Sequence, residues 1–205
     1  NLLFKVGNRK MKNLHDIIPE ILILKPYSYK FRLHKNEVYG YVFICNFRSE
    51  PATSILERLS KIMDRYEDSI IALAPMRIIP SIRVLALATL YTYNVYLKQK
   101  RKIRNRALLL LSIIFAKRQL FDTINIINKY ISKKSKLIII GYKKYIENLL
   151  NDLKDILVYC RNCQDNDWEL STRFKEVYGI EPFTNQEVNE KIVITKITRH
   201  YLSLL

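Results

Sequence analysis

Glycine is scarce in this sequence, with only Gly7, Gly40, Gly141 and Gly179 among 205 residues. No two lie close enough to build a phosphate-cradling loop, which disfavours Walker-type and Rossmann-type nucleotide binding. Histidine is equally thin: His15, His34 and His200 are scattered, and none sits in a recognisable Ser-His-Asp setting. His200, near the C-terminus on an expected helix, reads as a solvated side chain. The cysteines are Cys45, Cys160 and Cys163, and the last two form a lone CxxC. A structural zinc site needs four ligands, and neither a second pair nor a nearby His completes one. A disulfide or two ordinary thiols remain, with the thiols favoured. Long apolar runs are missing too. Val84–Leu97 and Ala107–Ala116 fall short of the roughly 18 residues that span a bilayer. No secretory pattern opens the chain. The expectation is a cytoplasmic protein with no membrane contact, no metal, no cofactor and no small-molecule substrate.

Acid is the most unevenly missing component. The chain carries 35 Lys and Arg against 19 Asp and Glu, a net charge of +16. Between Lys98 and Lys144 there are fourteen cations and one acid, Asp122. The other 158 residues hold 35 − 14 = 21 cations and 19 − 1 = 18 acids. A block of +13 set in a nearly balanced remainder predicts an anionic partner. Its densest part, "KQKRKIRNR" (Lys98–Arg106), abuts the most apolar segment, "ALLLLSIIFA". That join is explained if the helices bury their apolar sides against a sheet and leave their ends and the turn in water. Lys98, Lys100, Arg101, Lys102, Arg104, Arg106, Lys117, Arg118, Lys133 and Lys134 are the candidate phosphate contacts. Tyr91, Tyr93, Tyr96 and Tyr142 are candidate base-stacking partners. Exposed lysines are often merely solvated. Arg118 and Gln119 divide evenly between a structural role, with Arg118 pairing to Asp122 at i,i+4, and an RNA contact.

Periodicity gives an α/β fold, an α+β sandwich with a small mostly antiparallel or mixed sheet of about four to five strands packed with helices. "EILILKPYSYKFRLHKNEVYGYVFICNF" (Glu20–Phe47) alternates like two strands joined near His34–Asn36. A helix follows from a Ser49 cap with Pro51 in its first turn and Ile55, Leu59, Ile62 and Tyr66 on one face. "SIIALAP" is a buried strand stopped by proline. Ser81 caps a helix to about Lys98; two more run from about Asn105 to Phe115 and from Gln119 to Tyr130. "KLIIIG" is a second buried strand, Lys143–Leu153 a short amphipathic helix and "DILVYC" a strand. "WELSTRFKEVYGI" is a short helix ended by Gly179. The tail from Asn185 fits a helix better than a strand, despite its β-branched residues. Residues 1–205 read as a single domain, with 1–18 an N-terminal extension of uncertain origin and Met11 an alternative start. The carboxylates Asp64, Glu67 and Asp68 read as the wet face of a helix.

The stretch Ile82–Gly141 resembles the small, non-catalytic, kinase-binding subunit of the KEOPS (EKC) complex, in its archaeal type. "RVLALATLY" (Arg83–Tyr91) stands for the family's Ala-rich helix. "RALLLLSIIFAKRQLFDTINII" (Arg106–Ile127) covers the next helix and a G-x-R-Q-I-x-E-A-I motif, and "SKLIIIG" the buried strand. "VNEKIVITKI" (Val188–Ile197) is similar to the C-terminal V-x-E-K-x-A helix. Departures are Arg83 for a common His, Ala116-Lys117 for the Gly-containing pair, and Asp122-Thr123 for Glu-Ala. The family is also usually shorter. The resemblance implies no catalytic residues and two partners: the atypical kinase/ATPase subunit and tRNA, the latter gripped by its single-stranded 3′ CCA end during threonylcarbamoyl-adenosine formation. Val84, Leu87, Tyr91, Val188 and Ile192, on broad apolar helix faces, are the candidate kinase contacts, although each taken singly fits the core better. The alternatives are a free-standing nucleic-acid-binding module and a nuclease using carboxylates such as Asp64 or Asp165.

Overall fold

A computed structural model describes residues 21–25, 27–47, 52–66, 68–99, 103–131 and 134–205. The first element expected as one strand is two, β1 (Ile21–Lys25) and β2 (Ser28–Leu33), followed by β3 (Asn36–Asn46). The tight turn between β2 and β3 is His34-Lys35, with His34 in the left-handed region (φ 54°). Helix α1 (Ala52–Asp64) then leads to β4 (Ile70–Pro75). Helices α2 (Ile82–Lys98), α3 (Arg106–Ile114) and α4 (Leu120–Tyr130) follow, then β5 (Lys134–Tyr142). The chain ends with α5 (Lys143–Asp152), α6 (Lys154–Leu157), β6 (Cys160–Asn162), α7 (Arg173–Tyr178) and α8 (Gln186–Leu204). The caps read from sequence are present: Ser81 accepts from the Val84 amide and Asn185 from the Glu187 amide. Ser49 and Pro51 lie outside the described residues, as do residues 1–18.

The sheet is antiparallel throughout, in the order β1-β2-β3-β5-β4, with β6 as a short sixth strand on β3. β2 pairs with the first half of β3, up to Ser28 opposite Tyr41. β6 pairs further along, from Phe43 to Cys45. The segment expected as a strand at "DILVYC" therefore forms a helical turn first. Only three residues of ladder then extend along β3 past the end of β2. Cys45 and Cys160 face each other in that ladder and form a disulfide, while Cys163 is a free, buried thiol. The CxxC spacing thus has no pairing of its own, because Cys160 is taken by a strand neighbour 115 residues away.

Strand alternation divides the core in two. Ile138 and Ile140 of β5, Ile70 and Ala72 of β4, and Val38 and Val42 of β3 face α2, α3 and α8. Leu137, Ile139, Ile71 and Leu73 face α1, α5 and α6. Gly40 is fixed by packing: a Cβ there would lie 2.1 Å from the Tyr29 ring, whose hydroxyl reaches Thr89 at 2.6 Å. α2 and α8 run side by side, with Tyr91 stacked on Tyr201 at 4.1 Å and Gln99 donating to the Leu204 carbonyl. Among the described residues no helix is long and apolar enough to cross a membrane.

Candidate nucleic-acid interface

The expected cations do not form one edge. Lys98 and Arg104 are exposed at the end of α2 and the start of α3. Arg106 beside them is committed to the fold. It donates to the Met63 carbonyl at 3.4 Å and lies over the Tyr96 ring at 5.7 Å. Lys117 and Arg118 come after the other end of α3, whose nine residues span about 13 Å. Lys134 is exposed at the start of β5. Lys100, Arg101, Lys102 and Lys133 lie outside the described residues.

The tyrosines expected to stack on bases are corrected by the structure. Tyr93 is fully buried and donates to the Asp68 carbonyl, Tyr142 is buried against Tyr93, and Tyr91 and Tyr96 are buried too. Tyr91, Tyr93 and Tyr96 are core residues because α2 is covered by β1 and β2 on one side and by α3 and α8 on the other, and Tyr142, on β5, packs against Tyr93 from the sheet. The same packing removes two of the expected kinase contacts. Val84 is fully buried and Tyr91 is closed off by Tyr201. Leu87, Val188 and Ile192 stay half-buried. The exposed apolar side chains lie elsewhere, notably Leu120, Phe121 (67% exposed) and Ile124 on α4.

What the structure does bring together is a cationic cleft of about 380 Å³. One wall is the turn Phe115–Arg118, a second is Glu176–Gly179, and the third is Lys196, Arg199 and His200 of α8. The first wall is made by how α3 ends. The Lys117 amide donates to the Ser112 carbonyl and the Ala116 amide to Ile113, with Ala116 left-handed at φ 52°. This is a Schellman ending, which normally places glycine at the left-handed residue. The chain then turns outward and presents Lys117 and Arg118 to the cleft. The second wall ends likewise at Gly179 (φ 72°), and the Tyr178 hydroxyl ties it to the Ile114 carbonyl at 2.8 Å.

Lys196, Arg199 and His200 share a face by their i, i+3, i+4 spacing. Lys117, Arg118, Lys196 and Arg199 pair with no acid among the described residues. The single lining carboxylate, Glu176, is held by Lys129 at 2.7 Å. His200 is only 5% exposed, and neither ring nitrogen has a partner. The expectation of a solvated side chain fails here because α8 turns this position inward. Burial, with the Arg118 charge adding to it, holds the imidazole below its ordinary pKa of 6.5. A buried donor-acceptor pair without partners costs about 1–3 kcal/mol. An anion entering the cleft would meet four unpaired cations and one imidazole able to donate.

No family model matches the sequence, and no curated protein matches it either. Of the carboxylates named for a nuclease, Asp165 lines a cleft with Pro80 and Ser81, and Asp64, at the end of α1, is not among the residues lining it. Asp68, expected on a wet face, is buried in the turn before β4 with φ 60°, and Glu67 lies outside the described residues. Sequence reasoning missed Lys196, Arg199 and His200. The signal was present as K-x-x-R-H in a segment already read as helical.

Proposed function

We propose that this chain is a non-catalytic RNA-binding subunit of the KEOPS type, recruiting tRNA through its 3′ end and docking on a kinase-like ATPase. The observation that carries the reading is the cleft in which Lys117, Arg118, Lys196 and Arg199 surround the unpartnered His200. Its chemistry suits a phosphodiester: several point charges, a guanidinium pair for planar oxygens and a desolvated imidazole. A volume of about 380 Å³ has room for a nucleotide-sized group rather than a duplex, which favours a strand end. The left-handed Ala116 supports the resemblance independently, since it explains why a glycine would stand at that motif position. The exposed row Leu120, Phe121 and Ile124 supplies the apolar surface that a protein partner needs.

The test is a binding comparison between intact tRNA and the same transcript lacking its 3′ CCA. Binding weakened at least tenfold by trimming, about 1.4 kcal/mol, supports 3′-end recruitment. Equal binding of both removes it and leaves a general nucleic-acid-binding module. Stimulation of a kinase-like subunit's ATPase by this chain, lost on Phe121→Asp, separates the subunit reading from that module.

A further inference from the structure

The cleft lies in the helical layer made by α3, α7 and α8. The sheet has a second basic surface on its opposite face. There α1, α5 and α6 cover β4, β5 and part of β3, whereas Leu22 and Leu24 of β1 stay 47% and 44% exposed. The outward residues of β2 are Lys30 and Arg32, and those of β3 are Glu37, Tyr39, Tyr41 and Phe43. Tyr39, Tyr41 and nearby Tyr27 are half-buried, so each keeps part of its ring at the surface. The Lys30 ammonium sits 5.8 Å from the Tyr39 ring centre, and the Lys25 ammonium 5.7 Å from that of Tyr27. Tyr41 and Phe43 stack along the strand at 6.4 Å. At the hairpin end this face opens into a cleft of about 400 Å³ lined by Arg32, Lys35, Lys143 and Lys144. Its one acid, Glu37, is already held by Lys143 at 3.1 Å and Lys30 at 3.6 Å. Arg32 and Lys35 pair with no acid among the described residues.

We propose that the outer face of β1, β2 and β3 is a second nucleic-acid surface, one that takes single-stranded RNA by stacking bases on Tyr39 and Tyr41 while Arg32 and Lys35 meet the phosphates. Charge complementarity selects the occupant: a concentration of cations around open aromatic rings fits a polyanion that also carries flat π-faces. An acidic protein would satisfy the cations but not use the rings. The sequence hides this face because its cations come singly, at alternate strand positions, rather than in a run. The proposal does not rest on the α8 cleft.

The experiment uses the full chain and a fluorescein-labelled oligouridylate of about a dozen nucleotides, with a duplex RNA of equal length as comparator. All variants are made in a Lys196→Glu, Arg199→Glu background, so that the helical-layer cleft contributes equally little. Stacking is worth about 1–3 kcal/mol per base, so Tyr39→Ala with Tyr41→Ala should weaken oligouridylate binding tenfold or more. Tyr39→Phe with Tyr41→Phe should keep it, which controls for damage to the fold. Arg32→Glu with Lys35→Glu should weaken both RNAs and flatten the salt dependence by roughly 0.7 per lost phosphate contact. Unchanged oligouridylate binding in the alanine pair overturns the proposal. So does an equal loss for duplex and single strand in the alanine pair, or loss of binding to anionic phosphatidylserine vesicles in that pair with RNA binding intact.

Discussion

Replacing Lys136 with methionine should stabilise the protein. Lys136 lies in β5, fully buried, with its ammonium 4.2 Å from the Trp168 ring and without a hydrogen-bond partner. Burial lowers its pKa from 10.5 to about 8, with Cys163 and Asp167 opposing that shift. At 1.36 kcal/mol per tenfold change in proton affinity, holding the charged form inside costs roughly 3 kcal/mol near pH 7. The cation–π contact returns about 1–2 kcal/mol of that. Methionine keeps the volume and drops the charge, so Lys136→Met should gain about 1–3 kcal/mol at pH 7. In a chain of this size that raises Tm by a few degrees, at about 2–4 °C per kcal/mol. The sign of the pH dependence is fixed. The folded pKa of about 8 lies below the unfolded 10.5, so between them the unfolded chain binds more protons and stability rises with pH. The wild-type deficit should therefore shrink between pH 8 and 9.5. Urea unfolding of both proteins at pH 7, 8.5 and 9.5 measures it. Staying below pH 10 avoids Tyr29 and Tyr178, whose raised pKa values confer stability that is lost as the pH climbs past 10. A variant less stable than wild type at every pH, with a constant gap, would refute the reasoning.

Three further outcomes follow from individual residues. Ala116→Gly should raise stability by about 0.5–1 kcal/mol in urea unfolding, because it relieves a left-handed alanine. Gly40→Ala should lower it by more than about 2 kcal/mol, since the new methyl must displace the buried Tyr29 ring; thermal melts show the loss directly. His200 couples binding to protons: its pKa is depressed in the free cleft, and a bound phosphate raises it. RNA binding should therefore strengthen as pH falls below 6.5, and His200→Gln should flatten that profile in a filter-binding series.

The parts legible in the sequence were those written locally. Apolar periodicity with Ser81 and Asn185 caps marked α2 and α8, and β-branched runs closed by proline or glycine marked β4 and β5. β6 was misread because its extent depends on where β2 stops along β3, a long-range matter. The Cys45–Cys160 bond was hidden for the same reason. The cationic block was visible, but its division between the two ends of α3 was not. Its tyrosines looked available only because nothing local records that α2 is packed on both sides. The cleft joins a turn after α3 to α8, which lie some eighty residues apart in the chain, so its composition emerges only with the tertiary fold.

The most direct measurement of the central claim is the salt dependence of tRNA binding for wild type and for Lys196→Glu with Arg199→Glu. Four cations on a single strand give a log–log slope near −2.8, at about 0.7 per phosphate contact. The double reversal should shrink the slope by about 1.4 and weaken binding at least tenfold, with an unchanged melting temperature. An identical slope and affinity in the two proteins would contradict the claim that this cleft holds RNA.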